Sequence, residues 1–128
     1  MHYLDNSATT PLCEQAKAAV ISALDRFGNP SSLHLLGAQS LIALDEARLA
    51  VARSMSVEPS EIYFTSGGSE GNNMAILGTA NAHKREGRRV ITTAIEHHSV
   101  LKAMERLERD GFDVVYIKPN RQGVVTAE

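Results

Sequence analysis

The chain has 128 residues, of which 43% are hydrophobic and 22% are charged, a composition typical of one folded domain and not of a disordered tail. Thirteen Lys and Arg against fifteen Asp and Glu give a formal net charge of −2, and the scattered basic residues do not favour nucleic-acid binding. The N-terminus lacks a signal-peptide pattern and no run of about 18 apolar residues occurs, so we expect a cytoplasmic chain that is not in the membrane.

The first third of the chain is predicted to form an extended arm, a helix and a turn. Thr10 is expected to cap a helix whose first residue is Pro11, and apolar residues at helical spacing carry this helix to Gly28. Residues 28–32 are rich in glycine, asparagine, proline and serine and predict a turn. The single cysteine, Cys13, excludes an internal disulfide and is interpreted as a small hydrophobic residue, with a reactive thiol at a helix entry as the alternative.

The remaining chain is predicted to hold a long helix and then alternating strands and helices. The predicted helices are 35–55, 72–84 and 99–109, and the predicted strands are 62–64, 89–93 and 112–118. This alternation predicts right-handed crossovers and a mainly parallel sheet. Because three strands are few for such a sheet, and residues 126–128 have the pattern of a helix start, we expect the chain to be a fragment.

The most informative stretch is the glycine loop after the first predicted strand, residues 65–70. Its glycines let the backbone approach a ligand, and Gly68 and Ser69 offer N–H groups and a hydroxyl at a helix start, an arrangement that binds a phosphate monoester. The spacing fits neither a dinucleotide fingerprint nor a P-loop, which disfavours a nucleotide. The alternative is a tight turn with Ser69 as helix cap, and Glu70 would repel a phosphate unless its carboxylate points away.

A second loop with candidate functional residues, 95–99, follows the second predicted strand. Open α/β sheets bind ligands at the carboxyl ends of their strands, so His97 is expected to lie on an aromatic cofactor or to carry protons, and the alternative is a surface histidine. His97 and the adjacent His98 point in different directions, so no metal site is expected. The remaining histidines are interpreted as surface or loop residues; they are His2, His34 and His83.

These two loops, together with the arm at residues 3–11 and the turn at residues 28–34, resemble the cysteine desulfurase family of fold-type I pyridoxal 5'-phosphate (PLP) enzymes. The four motifs occur in the family's order and cover essentially the whole chain. The resemblance implies an α/β fold: the incomplete N-terminal part of the large PLP-binding domain, with a mainly parallel sheet and helices on both faces. Residues 1–34 would be the arm, first helix and turn, and residues 35–128 the front part of the PLP-binding domain.

The resemblance also implies roles for individual residues. Gly68 and Ser69 would hold the PLP phosphate, although the family more often has threonine at the position of Ser69. His97 would stack on the pyridine ring and act as a catalytic proton carrier, while the arm and residues 29–34 would line the substrate channel or the dimer contact. The full-length family enzyme removes sulfur from L-cysteine to give L-alanine and a persulfide for iron–sulfur cluster or thio-cofactor assembly. Its partners would be a sulfur-acceptor or scaffold protein and a second copy of itself.

Three catalytic groups of the family have no counterpart at the matching motifs. None of the four lysines lies in the family's Ser-x-His-Lys setting, Cys13 does not match the catalytic cysteine, and the aspartate that pairs with the pyridine nitrogen is not identified. We therefore expect the chain to be inactive alone. The alternatives are a non-catalytic partner-binding or split-enzyme module, a binder of another phosphate ligand, and a selenocysteine lyase or related PLP aminotransferase-like enzyme.

Overall fold

The computed structural model describes residues 2–126. The chain divides into two compact units, residues 1–63 and residues 64–128. The predicted division after residue 34 stays a prediction. The helix start predicted at residues 126–128 includes Ala127 and Glu128, which lie outside the described residues.

The first unit is helical. It contains α1 (Glu14–Leu24), α2 (Leu35–Met55) and a short 3-10 helix (Pro59–Glu61). The second helix has the predicted bounds, but the predicted cap of the first helix is wrong: Cys13 is the N-cap residue, and Thr10 and Pro11 lie before the helix. The acidic Glu14 then occupies the first turn, where a negative charge interacts favourably with the helix dipole.

The predicted turn between the two helices is confirmed and is held by local hydrogen bonds. The side-chain oxygen of Asn29 accepts a bond of 2.9 Å from the backbone N–H of Ser31. His34, which is exposed as predicted, caps α2: its Nδ1 atom accepts a bond of 3.2 Å from the N–H of Gly37. A Cβ atom on Gly37 would lie only 2.8 Å from the carbonyl carbon of Ser32, so glycine lets the turn lie directly on the first turn of α2.

The strand predicted at residues 62–64 is wrong. Ile62 has an extended backbone, but it ends the 3-10 helix, and its N–H donates to the carbonyl of Pro59. Its carbonyl accepts a bond of 3.4 Å from Nε of Arg48 on α2. An extended segment becomes a strand only by pairing with another strand, and none pairs with it in residues 2–126.

The second unit is a βαβ arrangement preceded by a helix. It contains α3 (Gly68–Ala82), β1 (Arg89–Thr93), α4 (His98–Arg109) and β2 (Asp113–Ile117). The two strands pair in parallel, with Arg89 opposite Asp113 and Thr93 opposite Ile117. The prediction of parallel strands joined by a helix is confirmed for this pair, and the sheet has two strands instead of three in the described part of the chain.

The hydrophobic core of the second unit lies between the two helices and one face of the sheet. Met104, Leu107 and Phe112 form its buried centre, and half-buried side chains from α3, α4 and both strands pack around them: Ile76, Leu77, Ala80, Val90, Val100, Val114 and Tyr116. The alternate residues of the strands, Ile91, Val115 and Ile117, are exposed. Burial of one face of the sheet therefore determines which strand residues face α3 and α4.

Candidate functional site

The glycine loop leads directly into the N-terminus of α3. Gly67 is the N-cap residue, and Gly68 and Ser69 are the first two residues of the helix, so the alternative in which Ser69 is the cap is wrong. A Cβ atom on either glycine would meet no atom within 4 Å, which shows that the backbone is open on that side. Within residues 2–126, no acceptor bonds the N–H groups of Gly68 and Ser69 or the Ser69 hydroxyl. The start of α3 thus presents unused donors to an anion.

The carboxylate of Glu70 is turned back toward the preceding loop. One of its oxygens accepts a bond of 2.6 Å from the backbone N–H of Ser66 and a bond of 2.7 Å from the Ser66 hydroxyl. These hydrogen bonds lower the pKa of the Glu70 carboxyl, so it stays ionised further into acid than an ordinary glutamate. The negative charge is thus engaged by Ser66 and leaves the N–H groups of Gly68 and Ser69 available.

The second candidate loop places His97 as the N-cap residue of α4. The Nδ1 atom of the ring accepts a bond of 3.2 Å from the backbone N–H of Ser99 and lies 2.8 Å from the Ser99 hydroxyl oxygen. His97 is exposed, whereas Ser99 is 8% exposed. The ring is therefore held along one edge and open to a ligand elsewhere. His98 is the first residue of the helix, and the described residues include no cluster that could hold a metal ion.

A hydrogen bond between side chains joins α3 to the start of α4. The Nδ2 atom of Asn72, on α3, donates to the hydroxyl oxygen of Ser99, at the start of α4, over 2.8 Å. Asn72 follows Ser69 by three residues, so it lies about one helical turn further along α3. This bond brings α3 next to the loop that contains His97, although the strand expected before the glycine loop is absent from residues 2–126. Asn72 and Ser99 were not among the predicted site residues.

The single cysteine and the lysine on α4 lie outside this group of contacts. Cys13 is exposed and belongs to the first unit. Of the lysines, Lys102 lies on α4 and forms an ion pair of 2.8 Å with Glu105. None of these groups takes part in the contacts that join Asn72, His97 and Ser99. No helix of the described chain is long and apolar enough to cross a membrane.

The residues present fit PLP at both ends of the cofactor. Unused N–H groups and a hydroxyl at a helix start match a phosphate monoester, and the exposed His97 ring matches a flat aromatic ring. The fit rests on the donor set of Gly68 and Ser69, together with the hydrogen bonds by which Ser66 engages the Glu70 carboxylate.

Comparisons with known proteins identify the family of the chain. Residues 2–128 match the family model of the class-V aminotransferases. A relative from Dictyoglomus turgidum, named cysteine desulfurase IscS, is 44% identical over 124 residues, which are 96% of this chain and 32% of that protein. The chain therefore spans about a third of the length of the curated relatives that it matches.

Solved structures of similar proteins point to the same family. A NifS-like protein matches with a TM-score of 0.84 and 36% identity, over 94% of this chain and 34% of that one. A structure described as SspA in complex with cysteine also has a TM-score of 0.84, with 38% identity over 99% of this chain and 37% of that one. The family model covers nearly every residue, and the predicted fold class is confirmed. The chain belongs to the class-V aminotransferase family.

Proposed function

We propose that this chain is the N-terminal part of the PLP-binding domain of a cysteine desulfurase, and that its share of the function is to hold the cofactor. The proposal is supported by relatives that carry the name cysteine desulfurase and by a similar structure described as a complex with cysteine. The observation that carries it is the set of unused donors at Gly68 and Ser69 beside a loop that presents His97. L-Cysteine is the proposed substrate of the whole enzyme.

The phosphate of PLP is the group that the start of α3 would bind. The N–H groups of Gly68 and Ser69 and the Ser69 hydroxyl would donate to its oxygens, and the positive end of the helix dipole favours its charge. Glu70 opposes the phosphate electrostatically, but its carboxylate is engaged by Ser66. Hydrogen bonds to a charged group are worth about 1.5–3 kcal/mol each, so these donors would dominate the affinity.

The exposed ring of His97 is proposed to lie against the pyridine ring and to hold or transfer a proton. When bound, PLP supplies an electron sink for the amino-acid substrate. The chain's contribution would be to fix the position of the cofactor: the start of α3 would hold its phosphate, and His97 at the start of α4 would contact its ring. Because both loops belong to the unit with the hydrophobic core, they would keep these positions before the cofactor binds.

Residues 1–128 alone are proposed to bind PLP without covalent attachment and without catalysis, because none of the four lysines lies in the family's Ser-x-His-Lys setting. The full enzyme would be a cytoplasmic homodimer that passes sulfur to an acceptor or scaffold protein for iron–sulfur cluster or thio-cofactor assembly. These properties of the whole protein rest on the family and not on contacts within residues 2–126.

The test is PLP binding by the chain and by a Ser69→Ala variant. Loss of one hydrogen bond to the phosphate should weaken PLP binding by roughly 10-fold to 150-fold. Pyridoxal, which has no phosphate, should bind both proteins equally. Thr79→Ala is the matched control, since it removes an exposed hydroxyl from the same helix about 15 Å away.

Two results would contradict the proposal. Equal weakening by Ser69→Ala and Thr79→Ala would show that the start of α3 does not hold the phosphate. Treatment with borohydride followed by mass spectrometry should give no stable adduct on a single lysine. A specific adduct would show that covalent attachment does occur within these residues.

A further inference from the structure

The side chains of Asn72, Ser99 and His97 form a continuous line of hydrogen bonds. Asn72 Nδ2 lies 2.8 Å from the Ser99 hydroxyl oxygen, which lies 2.8 Å from Nδ1 of His97. The same Nδ1 atom is 3.2 Å from the backbone nitrogen of Ser99. Ser99 is 8% exposed, so its hydroxyl has little access to water and depends on these partners.

The direction of each hydrogen bond follows from the chemistry of the donors. An amide NH₂ can only donate, so the Ser99 oxygen accepts from Asn72 and its own hydrogen is free to point at His97. A backbone N–H also can only donate, so Nδ1 of His97 must be an acceptor. A neutral imidazole whose Nδ1 accepts carries its proton on Nε2.

We propose that Asn72 and Ser99 are positioning residues that fix the orientation of the His97 ring and hold its proton on Nε2. The proposal deepens the proposed function, because it names the atom through which His97 would give or take a proton. It also connects the His97 ring to α3, whose first residues, Gly68 and Ser69, are proposed to bind the phosphate.

In the His97 ring, the acceptor atom Nδ1 is therefore occupied, and the donor group Nε2–H is free to contact a ligand. Nδ1 already accepts from Ser99 N–H and receives the Ser99 hydroxyl, so a ligand meets the Nε2–H edge or the face of the ring. A histidine without these bonds would populate both tautomers and several ring orientations. Asn72 and Ser99 thus hold His97 in one tautomer and one ring orientation before a ligand binds, which lowers the entropy cost of binding.

The test is the tautomer of His97 in the chain labelled with ¹⁵N-histidine, measured by long-range ¹H–¹⁵N NMR near neutral pH. The wild type should show the Nε2–H form. Ser99→Ala removes the hydroxyl bond, typically worth about 1 kcal/mol, and should raise the ratio of the Nδ1–H to the Nε2–H form roughly fivefold. Ser99→Thr keeps a hydroxyl and should restore the wild-type tautomer.

A neighbouring amide provides the matched control. Asn73 donates to the carbonyl of Ser69 within its own helix over 2.7 Å, so Asn73→Ala should leave His97 unchanged, whereas Asn72→Ala should broaden or shift its signals. The Asn72→Ala and Asn73→Ala variants also test the proposal if Ser99→Ala does not fold. Equal spectra for Asn72→Ala and Asn73→Ala, or an Nδ1–H form in the wild type, would overturn the proposal.

The tautomer is read without cofactor, so it separates this proposal from the proposed function. A fixed Nε2–H form in a chain that does not bind PLP would support the positioning role and contradict the cofactor. If the chain bound PLP but the His97 tautomer did not change in the Ser99 and Asn72 variants, the proposed function would be supported and the positioning role would be contradicted.

Discussion

The two units of the chain carry similar apolar patterns but bury them very differently. In residues 64–126 the centre of the core is buried: Leu107 is 0% exposed and Met104 is 5% exposed. In residues 2–63 the only buried hydrophobic side chain is Ala52, while Leu24, the last residue of α1, and Phe27, in the segment after it, are 77% and 78% exposed. Helical spacing thus identifies an apolar stripe, but burial requires another element against it.

The two units also differ in the interactions that stabilise them. The second unit packs two helices on one face of a sheet, and its candidate site lies at the starts of those helices. The first unit depends more on local contacts, such as the Asn29 turn and the His34 cap on Gly37. The unit that holds the candidate site therefore has its own packed support.

The largest expected effect comes from opening the core of the second unit. Leu107→Ala should reduce the free energy of unfolding by about 2–5 kcal/mol, because it removes buried methyl groups and leaves a cavity. Leu24→Ala, the same substitution at an exposed position of α1, should change it by no more than about 0.5 kcal/mol. Urea unfolding followed by circular dichroism measures both. Equal losses would mean that α1 is buried in solution.

The elements that the sequence predicted most accurately are two helices with a periodic apolar pattern and the two strands that α4 connects. The bounds of α2 match residue for residue, and α4, β1 and β2 match within one residue at each end. The strand expected at residues 62–64 fails because a short apolar run does not reveal whether a partner strand exists. The start of α1 fails because residue type favours Thr10 as the cap, whereas the helix begins after Cys13, whose side chain makes no capping hydrogen bond.

The candidate site was predictable in part. The glycines before a helical pattern located Gly68 and Ser69, and the end of β1 located His97. The bond between Asn72 and Ser99 was not predictable, because it joins residues 27 positions apart through the packing of two helices. A hydroxyl two residues after a histidine at a helix start was the available signal.

The next effect concerns the close contact that orders the first unit. Gly37→Ala places a Cβ atom against the backbone of Ser32, which cannot yield as a side-chain tip does, and should cost about 1–3 kcal/mol. Gly78→Ala on α3 meets no atom within 4 Å and should stabilise the helix by about 0.5–1 kcal/mol. Amide hydrogen exchange resolves the two effects by residue.

Faster exchange in Gly37→Ala should be confined to α2 and the turn at residues 28–34, and protection of α4 and β2 should persist. This pattern would confirm that the first unit is ordered locally and that the second unit is stable on its own core. If α4 and β2 lost protection equally, the two units would unfold as one, and the contrast between them would be only one of packing in the folded state.

The smallest effect lies at the glycine loop and appears only in acid. Hydrogen bonds from Ser66 lower the pKa of the Glu70 carboxyl in the folded chain below its ordinary value. A carboxyl of this kind stabilises the fold above its unfolded pKa of about 4.3, and the contribution is lost as the pH falls through the lower folded value. Glu70→Gln cannot ionise, so its stability should fall less steeply than that of the wild type below about pH 4.5.

Urea midpoints measured from about pH 7 to about pH 3 give the two slopes, with Glu46→Gln, an exposed carboxyl on α2, as the control for general charge removal. Parallel curves for the wild type and Glu70→Gln would show that the Ser66 bonds do not persist in solution. The Glu70 charge would then be free to face the N–H groups of Gly68 and Ser69, where it would repel the phosphate that those donors are proposed to bind. The acid slope thus also tests whether the glycine loop is preformed for an anion.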